Sequence, residues 1–483
     1  MTLAQSAARG SAITLVSQAI KLVIMLGSTI ILARLLSPTD YGLVAMVVAL
    51  IGVAEVFRDF GLSMAALQSR TLTSQQQSNL FWINTLVGGV LTAIVFALAG
   101  PISSFYSEPA LVEIVRALSV TFLLGGLSTQ FKVSINRELR FVALAAVDLI
   151  PFVFAFLIAL ILALSIGNFW ALVSQQVALA GVGLVASVVF SRWRPGLPRR
   201  TDMGNLLTFG VSYAATQLIS YGTRNVDSIA LGRSAGASSL GMYDRAYSLV
   251  SLPLTQINTP LSRVAIPVLS RLADQPARFF HYLRHAQLVA LYLTASVFLL
   301  LAAVGDQLVL LLLGPDWEVA GQILRILAIS GVFRSIVQIV YWIYMSLGLA
   351  TQQLRYYLVA QPLLILVILC GLPWGAVGVA WAVSIGYALN WLGALLWVGH
   401  VARMKVRLLV LDAARAVLGF GLPAALLALC ASSVLSASTP TLRLIAGSAA
   451  ALLGYCVAWA ISNRVREDMS VLISFARKAV GRE

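Results

Sequence analysis

Residues 41–66 read YGLVAMVVALIGVAEVFRDFGLSMAA. No charge interrupts Tyr41 to Ala54; then Glu55, Arg58 and Asp59 fall within about one helical turn, and the apolar run resumes. At 1.5 Å per residue, roughly 20 such residues cross a hydrocarbon core about 30 Å thick. The stretch therefore reads as a membrane helix carrying charge inside the bilayer. Glu55 lies three residues before Arg58 and four before Asp59, so all three share one face. A charge at mid-bilayer costs about 2.5–3.5 kcal/mol and turns towards a partner or towards water.

The same pattern runs from end to end. The chain is 60% hydrophobic and only 11% charged, with a mean hydropathy of +0.92, where a soluble domain carries about 25% charged residues. Apolar segments are expected at 11–33, 41–66, 80–99, 110–131, 142–165, 168–191, 204–231, 242–270, 286–304, 319–347, 354–370, 374–399, 408–433 and 441–462. None alternates as a membrane β-strand would. The expected fold class is an all-α polytopic membrane protein with 14 transmembrane helices. The first run exceeds the roughly 7–15-residue core of a signal peptide and lacks a cleavage-like end, so it reads as a retained helix.

A net charge of +15 would suggest nucleic acid in a soluble protein, but its placement argues otherwise. Of the 33 Lys and Arg, 22 fall in one set of alternate loops and the basic tail, Lys132, Arg137 and Arg140 among them; the other set holds Arg34, Arg233 and Arg443. By the positive-inside rule both termini should be cytoplasmic, and no nucleic acid is expected. The remaining eight lie inside apolar segments: Lys21, Arg58, Arg116, Arg224, Arg245, Arg263, Arg325 and Arg334. The intramembrane acids are fewer, with Glu55, Asp59, Asp148 and Asp227 the clear candidates. A cationic surplus within the membrane points to a cavity that holds an anion.

An offset of 199 residues partly superposes the chain on itself. Ala33-Arg34 falls on Gly232-Arg233, Tyr41-Gly42 on Leu240-Gly241, and Gly61 on Pro260. The offset equals six helices, and the basic stretch Ser191–Asp202 separates the copies. The expected layout is two six-helix lobes, residues 1–200 (helices 1–6) and 201–400 (helices 7–12), then helices 13 and 14 over 401–463 and an amphipathic cytoplasmic tail over 464–483. A parallel repeat places a substrate site between the copies near the midplane. The tail is expected on the inner membrane surface, with a packed terminal helix as the alternative.

Pro253, Pro260 and Pro267 fall on one face of helix 8, and helix 2 has Gly52 and Gly61 in the matching stretch. These five are candidate hinges, with static kinks as the alternative. Lys21, Arg58, Arg224, Arg245, Arg263 and Arg334 are the candidate substrate-binding cations, because a guanidinium fork donates two parallel hydrogen bonds to a phosphate. Arg116 and Arg325 are expected to snorkel outward. Glu55, Asp59 and Asp227 are candidate ion-coupling groups. Tyr213, Tyr221, Tyr243, Tyr247, Trp342 and Tyr344 could stack on sugar rings or simply pack helices. Each cation also has the plainer reading of an internal ion pair.

Catalytic and metal-ligating signatures are absent: no phosphate-binding Gly-Lys loop, HExxH or nucleophile elbow occurs. Cys370, Cys430 and Cys456 lie singly in apolar segments, and His281, His285 and His400 lie at helix ends. No cofactor is expected beyond coupling to protons, sodium or the membrane potential.

The stretch Ala33–Arg70, ARLLSPTDYGLVAMVVALIGVAEVFRDFGLSMAALQSR, resembles the start of Wzx-type polysaccharide exporters, especially the colanic acid and xanthan branch; so does Leu240–Leu272, LGMYDRAYSLVSLPLTQINTPLSRVAIPVLSRL. The resemblance implies the fold of the multidrug/oligosaccharidyl-lipid/polysaccharide (MOP) exporter superfamily, two lobes forming a V. It implies a flippase moving undecaprenyl-diphosphate-linked oligosaccharide repeat units across the bacterial inner membrane by alternating access, for exopolysaccharide, capsule or O-antigen synthesis. Its implied partners are the polyprenyl-diphosphate-linked oligosaccharide, membrane lipids and polysaccharide polymerase or co-polymerase proteins. Related lipid II flippases carry cations on helices 1, 2 and 8, where this chain has Lys21, Arg58 and Arg263, with Lys replacing the usual Arg on helix 1. A multidrug antiporter of the same fold would favour cationic cargo, which the surplus opposes. A membrane polymerase or ligase would need a large outer loop, and the outer loops are short.

Overall fold

The SPTD segment before the second apolar run shows how this chain starts a helix. The Ser37 hydroxyl and N–H donate to Asp40 Oδ2 at 2.6 and 3.0 Å, and the Asp40 N–H donates to Ser37 Oγ at 3.2 Å. This is a reciprocal cap, with Pro38 in the first turn, where its missing N–H leaves nothing unsatisfied. Thr73 and Gln76 repeat the device before the next long helix.

The computed structural model describes residues 3–59, 61–69, 72–435 and 437–470, with backbone alone at 3–12, 56, 59, 68 and 205–224. All regular structure among the described residues is helical. In order, the helices are α1 (Leu3–Ala33), α2 (Pro38–Asp59), α3 (Leu62–Gln68), α4 (Ser74–Ala97), α5 (Ala99–Tyr106), α6 (Leu111–Arg137), α7 (Phe141–Ser165), α8 (Trp170–Phe190), α9 (Gly204–Arg271), α10 (Pro276–Leu312), α11 (Glu318–Ser346), α12 (Ala350–Cys370), α13 (Gly375–Val401), α14 (Val406–Ala414), α15 (Leu422–Val434) and α16 (Pro440–Ile461). A π-helical turn, Arg415–Gly421, joins α14 to α15.

The chain divides into two compact units, Met1–Gly241 and Met242–Glu483, with the boundary inside α9. Among the described residues, eleven stretches are long and apolar enough to cross a membrane, where fourteen were expected. One of them, Ala350–Val401, contains both α12 and α13. The expected segments 204–231 and 242–270 are two helices of the α9 run that meet at a kink, with no separate loop between them. The run's single non-helical residue is Gly236, at φ 79° and ψ 177°, a conformation open essentially to glycine alone. Pro253, Pro260 and Pro267 sit within regular helix. The expected helix over 41–66 is broken between α2 and α3, where Gly61 takes φ 65°, while Gly52 stays helical.

In the first unit α1 packs on α7, α7 on α8, and α6 on both α4 and α8. Small residues set the closest approaches: a Cβ on Gly88 or Gly126 would strike backbone of the facing helix, Phe122 or Asn84 respectively. A polar ladder completes the α4–α6 seam. Gln77 Nε2 donates to Gln130 O at 3.2 Å, Gln130 Nε2 to Asn84 Oδ1 at 3.0 Å, and Thr92 Oγ1 to Ser119 O at 2.9 Å. Lipid offers no hydrophobic drive between helices, so small-residue contact and such hydrogen bonds, about 0.6 kcal/mol each, hold them together.

One contact in this unit joins residues related by the 199-residue offset. Pro38 and Gly42 of α2 correspond to Ala237 and Gly241 of α9. A Cβ on Gly42 would collide with Ala237 backbone, and one on Gly241 with Pro38 backbone. The contact is reciprocal, each glycine receiving the partner of the other.

In the second unit α11 packs between α10 and α13, and α15 pairs with α16 through Gly454 against Ala424. The core gathers Leu283, Ile339, Trp342, Ile343 and Val398, each 2% exposed or less. Large apolar side chains point outward in both units, among them Val23, Leu86, Leu164, Leu396 and Leu453, all above 65% exposed. Such a surface suits lipid.

Candidate functional site

The first unit brings Lys21 of α1, Arg58 of α2, Lys132 of α6 and Asp148 of α7 to one neighbourhood. Lys21 Nζ lies 4.4 Å from the Phe152 ring centroid. Phe152 is one turn along α7 from Asp148, on the same face. Lys132 Nζ reaches α8, 4.0 Å from the point a Cβ on Gly183 would occupy; Pro151 Cγ of α7 is 3.8 Å from that point. Lys132 interacts with Asp148 as an opposite charge and with Arg58 and Lys21 as like charges.

Arg58 occupies a space that glycine leaves. A Cβ on Gly125 of α6 would overlap its guanidinium. Its one described carboxylate is Glu55, at 3.6 Å and itself 56% exposed, a pair worth about 0–1 kcal/mol. Arg58 Nε is buried with no hydrogen-bond partner. The cluster is therefore under-neutralised, with donors to spare.

Lys132 and Asp148 are exposed, and Lys21 and Arg58 partly so, on helices otherwise apolar enough to cross a membrane. Four charged groups on one lipid-facing patch would each carry the mid-bilayer penalty, so this face of the unit meets water.

The other candidates divide. In the second unit Arg334 lies between two rings, its Cζ 5.2 Å from the centroids of both Tyr247 and Tyr387, and its Nη1 is buried without a partner. Arg263 is exposed. Arg245 pairs with its neighbour Asp244, an acid the sequence reading had not matched to it. Arg325 pairs with Asp306 at 3.5 Å and donates to Ala302 O at 3.0 Å, beside a cavity of about 290 Å³. Arg116 lies over Phe96 at 5.1 Å. Asp227 is 5% exposed and accepts the Ser228 N–H at 2.8 Å. The side chains of Asp59, Arg224, Tyr213 and Tyr221 lie outside the described residues. Tyr243, Trp342 and Tyr344 are at most 1% exposed; they pack helices and offer no open face to a sugar.

A second charged cluster was not foreseen. Arg284 of α10 donates to both oxygens of Asp412, at 2.6 and 2.9 Å, and Arg415 donates to Asp412 at 3.1 Å. Arg415 also donates to Asp468 at 3.1 Å, and the Tyr292 hydroxyl donates to Asp468 at 2.8 Å. Asp412 and Asp468 are 1% and 7% exposed. Residues 463–470 are helical, and Val465 is 1% exposed, so the start of the expected surface tail packs on protein. This network is structural: each of its two acids is paired with an arginine.

The sequence model of a family described as "Polysaccharide biosynthesis protein" matches residues 31–322. The chain belongs to this family. Among relatives, the chain is 28% identical to the teichuronic acid biosynthesis protein TuaB of Bacillus subtilis (strain 168) over 58% of its own length and 59% of that protein's. It is 26% identical to the lipopolysaccharide biosynthesis protein WzxC of Escherichia coli (strain K12) over 63% of each. The matches thus span less than two thirds of those relatives. Among solved structures, the lipid II flippase MurJ in an inward closed conformation superposes with a TM-score of 0.71 at 14% identity, covering 92% of this chain and 97% of that one. At that identity the likeness establishes the fold.

Within this chain, Lys132 is the candidate that the sequence reading missed. It was assigned to a loop because the helix was expected to end at residue 131; α6 continues to Arg137. A signal was present: Lys132 lies seven residues, about two turns, beyond Gly125, on the face that receives Arg58.

Proposed function

We propose that this protein flips a polyprenyl-diphosphate-linked oligosaccharide across the bacterial inner membrane, termini in the cytoplasm, and hands it to the proteins that polymerise it outside. The observation that carries this reading is the under-neutralised trio Lys21, Arg58 and Lys132 on a wetted face of apolar helices. A diphosphate has the matching chemistry: two charges close together, with oxygens spaced for a guanidinium fork and two ammonium groups. The family match and the MurJ fold support the same assignment.

The residues then have distinct parts. Arg58 supplies directed donors from the slot over Gly125, and Lys21 and Lys132 supply point charges from either side. The polyprenyl chain stays in lipid, since each CH₂ taken into water would cost about 0.8 kcal/mol. Outward movement of an anion is favoured by an inside-negative potential, about 2.3 kcal/mol per charge per 100 mV, so no cofactor is required for direction.

The test is reconstitution with a fluorescent diphosphate-linked oligosaccharide, scoring head-group access to an impermeant reagent with and without an imposed potential. Potential-dependent translocation, lowered at least tenfold in Arg58→Ala and in Lys132→Ala, is expected. Unchanged translocation in both variants, or efflux of a cationic dye with no lipid movement, would overturn the proposal.

A further inference from the structure

Asp148 is the feature the transport reading does not use. It stands beside the cations that should hold the diphosphate, yet among the described residues it makes no hydrogen bond and no ion pair within 4 Å. It is exposed and lies on the α7 face shared with Pro151 and Phe152. Those two residues mark its surroundings: Lys21 lies over Phe152, and Pro151 converges with Lys132 on Gly183. A carboxylate that merely fixed helix packing would be locked as Asp412 is, buried and doubly bonded to an arginine. Asp148 is instead a loose counter-charge facing the same water as the site.

We infer that Asp148 is a specificity-determining residue, a charge filter that admits a diphosphate head group and turns away the single phosphate of ordinary anionic phospholipids. This rests on the proposed transport function. Membrane phospholipids greatly outnumber any lipid-linked intermediate, and three under-neutralised cations would attract their phosphates too. Specificity is a difference between two affinities and often needs a repulsive element. A monoanionic head group entering the cluster replaces a counter-charge already there and then sits beside it, so it gains little. A diphosphate brings a second charge and a second set of oxygens, enough to engage Arg58 and the lysines together despite the carboxylate. A bidentate contact is available only to the cargo with two phosphates in line.

The experiment uses the full chain in proteoliposomes with three fluorescent lipids: the diphosphate-linked oligosaccharide, phosphatidylglycerol and zwitterionic phosphatidylcholine. The quantity read is the ratio of diphosphate-lipid to phosphatidylglycerol translocation. Asp148→Asn should lower this ratio at least tenfold, through faster phosphatidylglycerol movement with phosphatidylcholine unchanged, and Asp148→Glu should restore it. An unchanged ratio in Asp148→Asn, or phosphatidylcholine rising as much as phosphatidylglycerol, would overturn the filter. Where Asp148→Asn unfolds at a lower temperature than the parent, Asp148→Ser is scored by the same ratio. If the parent chain moves no diphosphate lipid, the transport reading fails on its own, and the filter is still decided by whether Asp148→Asn admits phosphatidylglycerol over phosphatidylcholine.

Discussion

Replacing Gly42 by alanine should destabilise the protein, while the same change at Gly27 should not. Both glycines lie in long helices. Gly27 has nothing within 4 Å of the position a Cβ would take, so its replacement collects the helix-propensity gain, about 0.8–1 kcal/mol. At Gly42 the same methyl would overlap the carbonyl of Ala237 and approach its Cα to 2.9 Å. Backbone cannot rotate aside as a side chain can, so α2 and α9 must part. Overpacking of this kind costs about 1–3 kcal/mol. Subtracting the propensity gain leaves a net loss of about 0–2 kcal/mol at Gly42, and the gap between the two variants equals the overpacking cost, about 1–3 kcal/mol. The reciprocal geometry sharpens the test. Gly241 meets Pro38 in the same contact, so once one alanine has separated the helices the second should cost less. The double variant should fall short of additivity by at least about 0.5 kcal/mol. Thermal unfolding of the purified protein in detergent, followed by intrinsic fluorescence, gives the ranking: Gly27→Ala highest, the parent next, Gly42→Ala and Gly241→Ala below. Gly42→Ala unfolding at or above Gly27→Ala would refute the argument, and strict additivity would refute the shared contact.

Two further outcomes are expected. Gly125→Ala should lower diphosphate-lipid translocation with a change in unfolding temperature smaller than that of Gly42→Ala, because the new methyl meets the mobile end of Arg58 and not backbone; unaltered translocation would show that the slot over Gly125 does not set the position of Arg58. Asp412→Ala strands Arg284 and leaves Arg415 with Asp468 alone, the two arginine side chains being 33% and 24% exposed; breaking a buried pair costs about 3–5 kcal/mol, and partial hydration of Arg284 trims this to about 2–3 kcal/mol, read as a drop in unfolding temperature with translocation per folded molecule preserved.

The sequence by itself determined the fold class, most helix positions and the existence of a cationic surplus inside the membrane. The reason is local: in lipid each backbone group must be satisfied within its own segment, so an apolar run of sufficient length has to be helix, and a charge within it stands out. Tertiary structure alone decided which charges meet. Arg58 and Lys132 stand far apart in sequence and become neighbours only because Gly125 lets α2 approach α6. Arg245 found its partner one residue away, an arrangement that ideal helix geometry does not favour. Arg334 came to lie between the rings of Tyr247 and Tyr387, a placement its own helix does not reveal. Asp412 and Asp468, unremarkable in the sequence, became the buried centre of a network because α10, α14 and the segment at 463–470 converge there. Periodicity fixes which residues share a face of one helix; the rotation of that helix against its neighbours is set by packing among residues distant in the chain, and the site depends on that rotation.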